Sequence, residues 1–236
     1  MARDISRMIL AGAALLAGFN ALPLRADLIT NGSFETPVVP VGGYTDFLSG
    51  STGITGWTVV GSGDVAIVSD TFSQECCTFP AEDGVQWVDL TGVNANSAEG
   101  VEQSVATTSG TQYTVTFWVG NIYDPGGIFG TTSSVKVLVG GIGGTSLGTF
   151  MNSSTTTETQ VWEQFSTTFT ASGSSTKIDF INADPGTDNS NGLDNVSVVA
   201  NAAAGVPEPG TMWLAGAVLL CAGLVRRRET LRVSRK

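Results

Sequence analysis

The sequence contains no histidine. A Ser-His-Asp triad, a Cys-His dyad and the common zinc sites all lean on imidazole, so these chemistries fall away together. Cysteine is nearly absent, with three in 236 residues. Positive charge is missing from the middle of the chain. Of eleven Lys and Arg, only Lys136 and Lys177 fall within residues 27–204, against eighteen Asp and Glu. That stretch therefore carries −16, which the whole-chain value of −10 conceals. Such a surface repels nucleic acid and anionic lipid, and nucleic-acid binding is excluded on that ground. It suits an exported protein that binds divalent cations, or simply one that stays soluble outside the cell.

What is present is easiest to read at the two ends. Val206-Pro207-Glu208-Pro209 is followed by the apolar run 211–225 and then Arg226-Arg227-Arg228. Two prolines without amide hydrogens make the first piece extended, and the arginines anchor the end of a hydrophobic helix on the cytoplasmic side. Extended motif, membrane helix and basic stop resemble, in that order, the PEP-CTERM sorting signal of Gram-negative bacteria. The resemblance implies recognition by an exosortase. Sixteen helical residues from Gly210 reach about 24 Å, against roughly 30 Å of hydrocarbon, which suits a transient anchor. Residues 229–236 form a basic cytoplasmic tail, and 201–205 an Ala-rich linker.

At the other end, Arg3 and Arg7 precede the uncharged stretch Met8–Leu22, and Leu24-Arg25-Ala26 offers a cleavage point. Residues 1–26 read as a secretory signal peptide. The alternative is an uncleaved N-terminal anchor, for which the run is short and is followed at once by Pro23.

Residues 27–200 form one domain, large enough for a real core. Short alternating runs rich in Val, Thr, Phe and Tyr are separated by Gly, Ser, Asn and Asp. In Gln112–Gly120, Tyr113, Val115, Phe117 and Val119 share a face, with Thr114, Thr116 and Trp118 opposite. Val135, Val137 and Val139 repeat the pattern, as do Phe165 to Phe169, Ile178 with Phe180, and Val196 with Val198. With segments 54–60, 64–68, 85–90 and 102–107 this predicts nine or ten strands in an all-β sandwich or barrel. Segments 36–53, 69–83, 123–132 and 140–158 read as long connections, where binding residues usually sit.

Cys76 and Cys77 are adjacent. Export implies an oxidising compartment. Neighbouring Cα atoms about 3.8 Å apart fall below the usual disulfide range of about 4.4–6.8 Å, so a vicinal bridge would force a tight, rigid loop. Intermolecular bridging and two reduced thiols are the alternatives. Cys221 lies inside the apolar run and serves as a small apolar residue.

Several pieces fall in a suggestive order: Asn31-Gly32-Ser33-Phe34-Glu35, expected to open the first strand; Gly56-Trp57; Asp83 to Leu90; Gln103-Ser104-Val105; Tyr113 to Phe117; Trp162; and Gly192 to Val196. Together they resemble the galactose-binding-like jelly rolls of carbohydrate-binding modules. They are similar also to the related cell-wall domains of uncharacterised function, best known from plants. The resemblance implies a jelly-roll β-sandwich in which the first and last strands lie side by side. It further implies a structural calcium held by Glu35 and Asp194, with Asn31 as a third ligand. The competing reading is that these acids cap turns or accept backbone amides.

Sugar binding needs exposed aromatic faces. Trp57 and Trp162 match core positions of the resemblance. Trp87, Trp118 and Tyr123 are the candidate sugar contacts, because both tryptophans sit opposite the strongest apolar face of their strands. Tyr44, Phe72, Phe79, Tyr123 and Phe129, in the long connections, could form a rim. The expected function is a non-enzymatic surface or matrix module that contacts polysaccharide and meets the membrane only through its C-terminal helix. The alternatives are a self-assembling matrix protein and, more remotely, a glycosidase built on paired carboxylates.

Overall fold

A computed structural model describes residues 25–92, 99–186 and 188–202. The sorting motif Val206–Pro209, the run 211–225, the tail 229–236 and nearly all of the leader lie outside them. Among the described residues every regular element is a strand. In chain order these are β1 (Tyr44–Leu48), β2 (Thr58–Val60), β3 (Asp64–Ser69), β4 (Ser73–Gln74), β5 (Cys77–Thr78), β6 (Gln86–Asp89) and β7 (Gly100–Ala106). They continue with β8 (Gln112–Asn121), β9 (Ser133–Val139), β10 (Thr145–Asn152), β11 (Val161–Thr170), β12 (Ser175–Asn182) and β13 (Gly192–Ala200).

Two antiparallel sheets face each other as a jelly-roll sandwich. The larger runs β1-β3-β6-β13-β8-β11 and the smaller β10-β9-β12-β7-β2, while β4 and β5 form a separate hairpin. Alternation explains the layering. Tyr113, Val115, Phe117 and Val119 of β8 are buried in the core against Val101, Val105, Val135, Val137, Ile178 and Phe180 of the smaller sheet. Phe117 meets Phe180 edge-on across the gap, ring centroids 5.2 Å apart. Trp57 stacks on Phe34 at 5.2 Å and donates its indole N–H to the Asn31 carbonyl, so it belongs to the core as expected.

Two expectations need correction. Asn31–Glu35 is a turn rather than a strand, with Asn31 and Phe34 both at φ 57°. The chain start still lies beside the last strand: the Leu28 amide donates to the Val198 carbonyl, and Val196 donates to Gly32. Three of the long connections also contain strands. β1 lies in 36–53, the β4–β5 hairpin in 69–83, and β10 in 140–158. β1 and β10 are edge strands that bury little, so their sequences carry weak alternation. In β10 a register shift between Ser146 and Gly148 disturbs it further.

Candidate functional site

The outer face of the larger sheet is covered by a second apolar layer. Ala66, Val68 and Trp87 point out from β3 and β6, and Cys77, Phe79, Ile122 and Phe129 close over them. Phe79 contacts Phe129 at 5.0 Å and Trp87 at 6.2 Å, while Trp162 stands edge-on to Trp87 at 5.9 Å. The indole N–H groups are satisfied by carbonyls, Trp87 on Phe79 at 3.0 Å and Trp162 on Pro80 at 2.9 Å. Trp162 thus belongs to this outer layer and not to the main core. Its ring lies on Gly120, where a Cβ would stand 2.8 Å from it.

The β4–β5 hairpin forms one wall, and Cys76 and Cys77 are bonded to each other at its turn. Cys77 is buried in the outer layer while Cys76 is exposed. The Thr78 amide donates to Glu158 and the Gln160 amide to Thr78, which fastens the hairpin to the segment before β11.

Between this wall and the loop at Phe129 opens a cleft of about 170 Å³, lined by Tyr44, Phe72, Gln74, Asp89, Phe129 and Asn189, with Trp87 and Phe79 behind. Tyr44, 43% exposed, meets Phe72 edge-on at 5.6 Å. Asp89 Oδ1 accepts from the Thr91 amide, the Thr91 hydroxyl and the Asn191 amide. Burial pushes its carboxyl up to about 6, those hydrogen bonds pull the other way, and Asp64 adds a smaller push. The cleft therefore offers aromatic rings and three side chains able to hydrogen-bond hydroxyls, the mixture that small-molecule sites use.

The three aromatics singled out in sequence are not brought together. Trp87 is 1% exposed and presents no open face. Trp118, half-buried, lies between Asp194 of β13 and Gln164 of β11, and does not line the cleft. Tyr123 is half-buried and also lies apart from it. Four of the five rim aromatics, Tyr44, Phe72, Phe79 and Phe129, do line it. Gln74, Asp89 and Asn189 carried no signal in sequence, because their meeting depends on the pairing of distant strands.

Glu35 and Asp194 converge on one turn. Glu35 Oε1 accepts from the Val85 and Gln86 amides at 2.8 and 3.0 Å. Asp194 Oδ2 accepts from Glu82 and Asp83 at 2.9 and 3.0 Å, and its Oδ1 accepts from Asn195. Burial pushes the Asp194 carboxyl up to about 8. The three amides oppose that and Glu82 adds to it. Asn31 is tied to Thr36 and Thr55. Both carboxylates thus cap amides of the 82–86 turn.

Comparison with known proteins defines the class first. A family model described as "Protein of unknown function (DUF642)" matches residues 27–199, and the chain belongs to that family. A PEP-CTERM protein-sorting motif matches residues 205–228, which marks the chain for export and surface or membrane-associated sorting. No curated protein matches the sequence. Among solved structures, an arabinose-bound GH51 α-L-arabinofuranosidase aligns at 13% identity and TM-score 0.48, over 75% of this chain and 26% of that one. A carbohydrate-binding module in complex with β-1,4-galactotriose aligns at 15% and 0.43, over 75% and 99%. The xylan-binding domain CBM22-1 of Paenibacillus barcinonensis Xyn10C aligns at 19% and 0.38, over 70% and 100%.

Proposed function

We propose that this is an exported, non-enzymatic module that holds one sugar ring or chain end of an extracellular polysaccharide in the cleft between Tyr44, Phe72 and Asn189. The carrying observation is the Tyr44–Phe72 pair at the mouth of a cleft whose polar groups are Gln74, Asp89 and Asn189. A ring face stacks on sugar C–H groups while amide and carboxylate oxygens take hydroxyl hydrogens. The strongly acidic domain favours a neutral glycan over an anionic one. In this reading an exosortase of a Gram-negative host handles the sorting motif, and the C-terminal helix anchors the chain transiently in the membrane.

The test is binding of the mature chain to a panel of polysaccharides that includes the producing organism's own polymer. Saturable binding competed by free oligosaccharide is expected. Failure of a folded sample to bind any member would favour the second reading, a self-assembling matrix protein. That reading rests on the β1 edge, where Leu48 is exposed close in sequence to the exposed Val38 and Val41.

A further inference from the structure

Where β13 begins, the apolar core ends in a polar layer. The inward series of β12 runs Ile178, Phe180, Asn182, and Glu99 stands just before β7. The Asn182 amide donates to the Glu99 carbonyl at 2.7 Å, so the two lie side by side. Asn191, just before β13, sends its Nδ2 to the Ser134 carbonyl at 2.7 Å and to Asn182 Oδ1 at 2.8 Å. The Asp184 amide donates to the same Asn182 oxygen, and the Ser134 amide donates to Asp184 Oδ1. This closed ring holds the Asp184 carboxylate and the Asn191 carboxamide on either side of Ser134.

The ring leaves several of its oxygens without partners. Asp184 Oδ2, Asn191 Oδ1 and Ser190 Oγ are buried and accept no hydrogen bond. Asn191 is 0% exposed. Each buried acceptor left in this way costs about 1–3 kcal/mol, and more when charged. Among the described residues no cationic side chain pairs with them. Among the described residues the ion pair is Lys177 with Glu102, on β12 and β7, and the neighbouring segment 93–98 contains no basic residue. Oxygen acceptors gathered without donors are what a hard cation ligates.

We propose that Asp184 and Asn191 are ligands of a calcium-class divalent cation seated in this layer. No three acidic side chains are grouped among the described residues, so carboxamide, hydroxyl, carbonyl and water oxygens complete the shell, as calcium coordination allows. The site is distinct from the turn held by Glu35 and Asp194, whose bonded oxygens face amides.

The experiment is calcium titration of the metal-free mature chain, by calorimetry and by melting temperature. Wild type is expected to bind calcium and melt higher. Asp184→Asn, which keeps an acceptor for the Ser134 amide, should weaken binding by about tenfold or more and remove most of the rise. In chelator the same variant should melt no lower than wild type, because a buried repulsive carboxylate has gone. Glu35→Gln should respond as wild type does. Absence of calcium binding in wild type would overturn the proposal. So would an undiminished response in Asp184→Asn, or a response lost only in Glu35→Gln, which would move the ion to the 82–86 turn.

Discussion

Glu35 and Asp194, 159 positions apart in the chain, grip the same turn: one carboxylate takes the Val85 and Gln86 amides, the other those of Glu82 and Asp83. Gly84 sits between the two pairs at φ +76°, and a Cβ there would meet Glu35 Oε1 at 2.2 Å. Glu35 removed to alanine leaves two amides without their acceptor, and Asp194 removed leaves three. Asp194→Ala is expected to lower stability by about 2–3 kcal/mol, and Glu35→Ala, which is more exposed, by less. Gly84→Ala should resemble Glu35→Ala. Chemical denaturation measures all three, and an unchanged midpoint for Asp194→Ala would deny the clamp its role.

Tyr44 and Trp87 both border the cleft, yet they should separate binding from folding. Tyr44→Ala and Phe72→Ala remove the open aromatic mouth and are expected to abolish polysaccharide retention while the melting curve moves little. Trp87→Ala empties a buried site and should cost about 3–5 kcal/mol. Retention measured beside thermal melting reads both, and sugar binding that survives Tyr44→Ala and Phe72→Ala would place the ligand elsewhere.

Asp179 of β12 faces Glu102 of β7 directly in register. Burial first, and then Glu102, push the Asp179 carboxyl up to about 7, against the Gly141 amide and Lys177. A carboxyl raised from 3.8 holds its proton longer folded than unfolded. Its contribution is therefore greatest at low pH and is lost as pH rises from about 4 through about 7. The ratio of wild-type to Asp179→Asn stability is expected to fall across that window. A pH series of melting curves in a constant chelator checks it, and parallel profiles would contradict it.

Cys76 and Cys77 are bonded to each other. Alkylation of the unfolded, unreduced chain should therefore label neither, and both should react once a reductant is added. A labelled thiol at either position before reduction would show the pair open.

Some of this was legible in the chain and some was not, for physical reasons. In β8, β9 and β12, with partners on both sides or a core beneath, the alternation of Tyr113 to Val119, of Val135 with Val137, and of Ile178 with Phe180 is itself the record of burial. β1 and β10 sit at edges and record little. Alternation correctly took Trp87 off the main core, but could not report that Phe79 and Phe129 cover it. The pairing of Glu35 with Asp194 followed from the resemblance. The meeting of Asp89 with Asn189 depended on which strand β13 joins, and no local pattern carries that.

The direction of β13 settles how the domain would hang from whatever holds its tail. The strand begins beside Asn189 at the cleft and ends at Ala200, whose carbonyl takes Arg25 and whose successor Asn201 donates to Gln112. Nine residues at about 3.3 Å each span roughly 30 Å. Arg25 and Asp27 lie at that far pole, and the sorting motif follows in sequence from residue 205. The cleft and the last described residue, Ala202, thus lie at opposite poles of the domain, about one strand length apart.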